Sequence, residues 1–299
     1  MSAVAEKAVF GTAPATKGRS TGGFWRRVAR HVLRDKAALF CAAILAAIAM
    51  SAIFAPWVAP ADPYKTSMIR RLLPPFSPHF ILGTDELGRD MLSRLIYGGR
   101  VSLTMGLAPV ILATVLGGSL GVIAGYFGKH INMAIMRIID VFYAFPSVLL
   151  AVAMAGVLGA GIVNSLISLT LVFIPPIARV AESVTTQVRD QDYVEAARAT
   201  GASAARIIVQ HVLANVTGPI LTYASSLVSI AIIISSGLSF LGLGAAPPIA
   251  DWGLMLNTLR QAIYVAPVNA VLPGVMIFAA SVSFNLLSDS LRTAMDVRA

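Results

Sequence analysis

Asp140 is the acid in this chain whose neighbourhood invites chemistry. It stands near the start of a long apolar run, with Arg137 one helical turn before it. That spacing suits either a proton relay or a local helical ion pair at an interface. The four histidines, His31, His79, His130 and His211, are scattered. None has metal-ligand spacing to another or to Cys41. No Gly-x4-Gly-Lys-Ser/Thr phosphate loop and no Gly-x-Ser-x-Gly nucleophile elbow occurs. The residues therefore supply no catalytic set, no metal site and no cofactor site. Cys41, the one cysteine, lies among apolar residues and reads as a small buried hydrophobe.

Three other polar groups hold positions that a partner or a cargo could use. The first is Glu195-Ala196-Ala197, then three residues, then Gly201. Asp190 or Asp192 suits the cap of a short helix that Tyr193 to Thr200 continues. Gly201 suits the left-handed position after it, and Ser203 the cap of a second helix. Two short helices about a turn make a rigid knob for a protein partner. The second group is Asp85, Glu86, Arg89 and Asp90. These are either contacts for a partner or a solvated charged turn capped by Thr84 or Asp85. The third is Ser225, Ser229 and Ser236, which share a helical face by spacings of four and seven. They either line a wet path or pack small side chains against another helix.

The elements that must position these groups are membrane spans. Hydrophobic residues make up 57% of the 299 residues and charged residues 12%, with a mean hydropathy of +0.79. This composition excludes a soluble domain and makes the fold class all-α, a polytopic membrane protein. Six runs are long enough to cross about 30 Å of hydrocarbon. They lie near 37–59, 101–126, 134–158, 162–182, 217–243 and 268–289, and form a transmembrane domain over 37–299 with a polar loop at 183–216. Residues 1–36 form a basic tail, expected to be disordered over 1–25 and a surface amphipathic helix over 25–36. Eight of the 23 Lys and Arg lie in that tail. With both termini inside, only Arg260 and six basic residues between 60 and 100 fall outside. The bias places both termini and the 183–216 loop in the cytoplasm. It also makes the net charge of +9 a membrane signal rather than a nucleic-acid one.

Two further patterns are mechanical. Gly117, Gly121 and Gly125 form a groove on one helical face where a second helix can approach closely. Pro175 and Pro176 should kink the fourth span near its inner end. Met91, Leu92, Leu95 and Ile96 share a face opposite Arg94, so 91–100 reads as a separate amphipathic helix at the outer interface.

Residues 30–298 resemble the C-type permease subunit of the peptide/oligopeptide/nickel ABC-importer family. The resemblance rests on Glu195-Ala196-Ala197 with Gly201, and on Leu82-Gly83-Thr84-Asp85 with Gly88-Arg89-Asp90. It continues through Met136-Arg137 with Asp140, Leu238-Ser239-Phe240-Leu241-Gly242-Leu243-Gly244, and Pro247-Pro248 with Trp252-Gly253. Pro273-Gly274, Phe284-Asn285-Leu286 and Asp289 with Leu291-Arg292 complete it. The chain departs from the family pattern at Ala214, where Pro is usual, at Ser235-Ser236 in place of Glu-Ala, and at Val297. The resemblance implies a type I ABC-importer permease fold in a bacterial inner membrane. It implies a second, B-type permease subunit, two ATPase subunits that use ATP and Mg, and an extracytoplasmic substrate-binding protein. It makes Tyr193, Glu195, Ala196, Ala197, Gly201 and Ser203 the ATPase contact. Peptides lead the expected cargoes, followed by nickel chelates, glutathione and other small conjugates. This chain itself would be non-catalytic.

A secondary transporter would need ionisable groups or broken helices near the midplane, and a membrane enzyme a convergent catalytic set. Neither is legible here. The topology yields a direct expectation. In a Cys41→Ser background, a cysteine at Ser77 should react with a membrane-impermeant thiol reagent applied from outside. One at Ser203 should stay protected until the membrane is opened. The reverse pattern would invert the fold.

Overall fold

The computed structural model describes residues 33–296. The tail 1–32, with most of the expected surface helix, lies outside these residues, as does Val297. The first span is α1 (Lys36–Ile53), whose start is capped by Asp35 through the N–H groups of Ala37 and Ala38 at 3.0 and 3.3 Å. After an irregular outer segment comes α2 (Met91–Phe127), capped by Asp90. Two shorter helices follow, α3 (Lys129–Tyr143) and α4 (Ser147–Leu158), then α5 (Ile162–Arg189). A short α6 (Asp192–Ala199) precedes α7 (Ala204–Ile207), which passes through a π-helical turn at Ile208–Val212 into α8 (Leu213–Phe240). The outer α9 (Trp252–Leu259) leads to α10 (Pro267–Asp296). Among the described residues, extended pairing is limited to two isolated bridges.

The α2–α5 contact is the most extensive in the molecule. It rests on the glycine groove. A Cβ on Gly117 would lie 2.7 Å from the Ile174 carbonyl oxygen, one on Gly121 2.3 Å from that of Ala178, and one on Gly125 2.7 Å from that of Glu182. Each step of four on α2 meets a step of four on α5, so the two helices run parallel with backbone almost touching backbone. In lipid, such packing rather than hydrophobic burial drives helix association.

Parallel register has a topological consequence. The chain leaves α2 at one end of the molecule and enters α5 at the other, so residues 128–161 must cross back. They do so in two pieces. α3 and α4 meet at 88°, and the long apolar helices plus this bent pair make up to six spans. The span expected near 134–158 falls on this pair and is broken in its middle. Pro146 biases Phe145 away from helical backbone and cannot donate from its own nitrogen, so the helix stops at Tyr143 and restarts at Ser147. α5 carries Pro175 and Pro176 inside one unbroken helix.

The reading of 91–100 as a separate interfacial helix is also corrected. This segment forms the first turns of α2 and is largely buried. Gly98 and Gly99 do not break it. Their bare Cα atoms admit the Trp252 indole, 3.0 and 3.3 Å from where their Cβ atoms would stand. Trp252 is fully buried and donates its indole N–H to the Leu95 carbonyl at 2.9 Å.

Contacts at the two ends fix the layout. At one end, Arg100 donates to the carbonyls of Ala52 (2.5 Å) and Ile53 (2.8 Å), and Asn269 donates to those of Leu73 and Thr84, both at 2.8 Å. At the opposite end, Arg189 donates to the Gly125 carbonyl at 3.0 Å, and Thr222 lies against Met295. Lys36, the 190–212 loop and the end of α10 therefore share one side of the molecule.

The groove predicts a steep size limit. Gly121→Val should lose about 1–3 kcal/mol through overpacking, seen as a lower thermal midpoint of the purified subunit in detergent. Gly118→Ala, whose Cβ would meet only Ile220 at 3.9 Å, should match the parent chain. Equal behaviour of the two variants would contradict the register.

Candidate functional site

The 190–203 loop is built by local rules. α5 ends at Asp190, whose carboxylate accepts both Arg189 Nε (2.8 Å) and Nη2 (3.2 Å). That guanidinium holds the Asp190 carboxyl below the usual carboxylate range. Contrary to the expectation that Asp190 or Asp192 caps α6, neither does. Gln191 occupies the cap without a side-chain bond, and Asp192 sits in the first turn, where its charge faces the helix N-terminus favourably. The end of α6 is a Schellman turn. The Gly201 N–H donates to the Arg198 carbonyl at 2.9 Å and the Ala202 N–H to that of Ala197 at 3.2 Å. Gly201 has φ +80°, with nothing within 4 Å of where a Cβ would stand. Ser203 caps α7 by accepting from the Arg206 N–H at 3.4 Å.

Burial divides this loop into an anchor and a face. Val194 and Ile207 are buried and hold α6 and α7 to the body. Tyr193, Glu195, Ala196, Gly201 and Ser203 are exposed, and Ala197 is half-buried. Partial burial pushes the Tyr193 phenol up, so it stays protonated. Two further links tie the knob back to the body: the Arg198 guanidinium lies 5.3 Å from the Tyr126 ring centre, and Tyr193 stands beside His211 at 6.4 Å. Because α7 runs through the π turn directly into α8, a push on the knob acts on a membrane-crossing helix. Ala214 lies just inside α8 with its N–H available, and no break occurs where the family's usual Pro would remove that donor.

The outer charges are placed differently from the expectation. Asp85, Arg89 and Asp90 are buried and Glu86 is half-buried. Asp85 takes Arg89 Nε at 2.6 Å and the Leu87 and Arg89 N–H groups at 2.9 Å each, and stands 3.2 Å from Arg94 Nε. Arg89 also reaches Glu86 at 2.9 Å. Arg94, 2% exposed, donates to the Pro63 carbonyl at 3.2 Å and lies 3.5 Å from that of Pro248. These charges staple the outer segments to α2. The cluster is therefore not a solvated turn: Asp85, Arg89 and Asp90 are enclosed by the segments around them, while Glu86 Oε2 and Asp90 Oδ1 are left without a hydrogen-bond partner within the subunit. A neighbouring network was not legible in the sequence. Asp251 caps α9 and accepts from Ser102, and Ser102 accepts from the Trp252 N–H.

Of the two readings of the serine face, the contacts within this subunit favour packing. Ser225 meets Ser288 of α10 at 2.9 Å, and Ser229 is buried and bonds within its own helix to Ser226. Ser236 is buried where α9 crosses, its carbonyl oxygen 2.3 Å from where a Gly253 Cβ would stand. Ser229 and Ser236 thus pack inside the subunit, and Ser225 is half-buried against α10. Asp140 pairs with Arg179 of α5 rather than with Arg137. Among the described residues no cluster of His, Cys, Asp or Glu could hold a metal ion.

These features define a class: a multi-pass helical membrane subunit with a stapled outer cap and an exposed helix–turn–helix knob at the other end. The chain belongs to the family of binding-protein-dependent transport system inner membrane components, which matches residues 117–299. Residues 23–75 match the N-terminal TM domain of oligopeptide transport permease C. The chain is 38% identical over 272 residues to the dipeptide transport system permease protein DppC of Alkalihalophilus pseudofirmus, covering 91% of this chain and 89% of that protein. It is 36% identical over 291 residues to the glutathione transport system permease protein GsiD of Pectobacterium atrosepticum, covering 97% and 96%. Its fold matches a chain of the MetNI methionine ABC transporter in an inward-facing conformation. That match has a TM-score of 0.53 and 19% identity, and covers 67% of this chain and 97% of the other. The protein is thus a permease subunit of an ABC importer in the inner membrane.

The outer staple gives a graded expectation. Asp85→Asn should cost about 3–5 kcal/mol, the scale of a broken buried ion pair. Glu86→Gln, at a half-exposed position, should cost under about 1 kcal/mol. Thermal unfolding in detergent measures both. Equal stability, with both variants losing binding-protein response, would return the cluster to a contact role.

Proposed function

We propose that this subunit carries di- and oligopeptides inward, paired with a second, related permease subunit. Two ATPase subunits using ATP and Mg would drive it by pressing on Tyr193, Glu195, Ala196, Ala197, Gly201 and Ser203. The observation that carries this reading is the knob itself. Its residues are exposed while two apolar anchors fix it, and its second helix is continuous with a 37-residue helix, Ala204–Phe240. Closure of the ATPases on ATP would then tilt α8 and switch the path between outward- and inward-facing states. The excess of Lys and Arg on the knob side supports placing that side, and both termini, in the cytoplasm.

Peptide cargo is supported by relatives named for dipeptide and di/tripeptide transport, the latter 39% identical over 278 residues. The glutathione permease relative, matched over 97% of this chain, supports a second cargo of the same small, peptide-like chemistry. An extracytoplasmic binding protein would deliver it to the outer cap. With the charged cluster buried, the exposed apolar tips Ile69, Phe76 and Tyr264 are the better contacts for that protein.

Gly201 tests the coupling role cleanly, because no atom stands where a side chain would go. Any effect of Gly201→Val therefore comes from the left-handed backbone, at a cost of roughly 1–2 kcal/mol. We expect this variant to assemble with the ATPases but to lose most cargo-dependent ATP hydrolysis. Gly201→Asn, which tolerates that conformation, should retain it. Normal coupling in the valine variant would count against the reading.

A further inference from the structure

Two features of the α3–α4 crossing do not suit a surface against lipid. The first is the bend. α4 has 12 residues, so it spans at most about 18 Å. Its far end, at Leu158 and Gly159, is tied to the outer start of α5 by Asn164 at 2.8 and 3.1 Å. The bend at 144–146 therefore lies within the hydrocarbon thickness of about 30 Å. There the chain leaves the helical ladder, no side chain caps α4, and every residue from 143 to 149 is exposed. Irregular backbone at membrane depth persists only where protein buries it or water reaches it.

The second feature is the ion pair. Asp140 stands one turn before the bend, and Arg179 lies about 25 Å along α5 from its start at Ile162, toward the far edge of the hydrocarbon. Their side chains are 40% and 50% exposed. The Arg179 guanidinium also lies 5.3 Å from the ring centre of Tyr143, at the bend itself. A half-open ion pair beside the bend, toward that edge, faces water rather than lipid tails. Two independent observations, one of backbone and one of charge, thus point to the same face.

We propose that the Asp140–Arg179 pair and the bend at 143–147 form a solvated station on the translocation path for a small zwitterionic cargo. The inference rests on the permease reading and deepens it. The pair offers both complements that such a cargo needs: Arg179 for its carboxylate, in the forked geometry that suits carboxylates, and Asp140 for its ammonium. The two side chains hold each other until the cargo's charges take their place. No charge is then left unpaired at any stage, which is what allows charges to stand at this depth.

The test uses the complete transporter, with its partner subunits, in proteoliposomes. In a Cys41→Ser background, Ala144→Cys should react with a charged, membrane-impermeant thiol reagent. Reaction only with an uncharged, lipid-soluble maleimide would overturn the station. Uptake of alanyl-alanine is measured alongside its N-acetyl and C-amide forms. Arg179→Gln and Asp140→Asn should each lower alanyl-alanine uptake at least about tenfold, the scale of one lost charge-assisted hydrogen bond, with complex yield unchanged. The blocked dipeptides should be carried poorly by the parent transporter. Lost complex yield in the neutral variants would make the pair a structural clamp and overturn the proposal. So would wild-type uptake in the charge-swapped double variant, Asp140→Arg with Arg179→Asp. Labelling of Ala144→Cys with no alanyl-alanine uptake by the parent transporter would overturn the peptide reading and leave the wet bend standing.

Discussion

Gly117, Gly121 and Gly125 let α5 approach α2 until the Ile174, Ala178 and Glu182 carbonyls face bare Cα atoms. Much else follows from that contact. Two parallel helices in contact force the intervening chain to recross the membrane, and with only 34 residues between Phe127 and Ile162 the crossing must be compact. It is made by two helices and a bend, and the bend sits beside Arg179 of the same α5. The contact also brings the end of α5 to the end of α2, where Arg189 and Arg198 fold over Gly125 and Tyr126. The knob thus hangs from the most closely packed pair in the subunit.

The opposite end adds buried charge to close backbone packing. Asp85 and Glu86 balance Arg89 and Arg94 beneath the outer segments, and the Trp252 indole fills the space left by Gly98 and Gly99. Breaking one partner of a buried pair is costly, so this cap moves as a unit. The molecule then has a rigid outer end, a tight central pair, and a knob whose motion passes through the π turn into α8. This arrangement suits a lever: one end fixed, one end pushed, with a broken helix between them.

Features written in neighbouring residues were legible in the sequence. Gly201 and Ser203 announce their turn and cap because those signals are local. The glycine groove announces itself because a helix repeats its contacts every four residues. What failed depended on partners distant in sequence. Asp85 and Arg89 look like surface charges until Arg94, itself held by the Pro63 and Pro248 carbonyls, closes on Asp85. Asp140 has a basic neighbour three residues away, yet its partner is 39 residues along. Periodicity placed Ser225, Ser229 and Ser236 on one face but did not say what that face meets. Hydropathy summed across 134–158 passed over Pro146, because one residue barely changes an average while it ends a helix.

The central claim is that the exposed face of α6 carries force from the ATPases into α8. Its most direct measurement is site-specific cross-linking in the assembled transporter, using Ala196→Cys in a Cys41→Ser background and a short bifunctional thiol reagent. The account expects a product between this subunit and an ATPase subunit, and expects its formation to stop cargo-dependent ATP hydrolysis. It also expects a cysteine at Phe76, on the outer cap, to give no such product. An Ala196 cysteine that reacts freely with small thiol reagents in the assembled complex, yet never joins an ATPase subunit, would contradict the account.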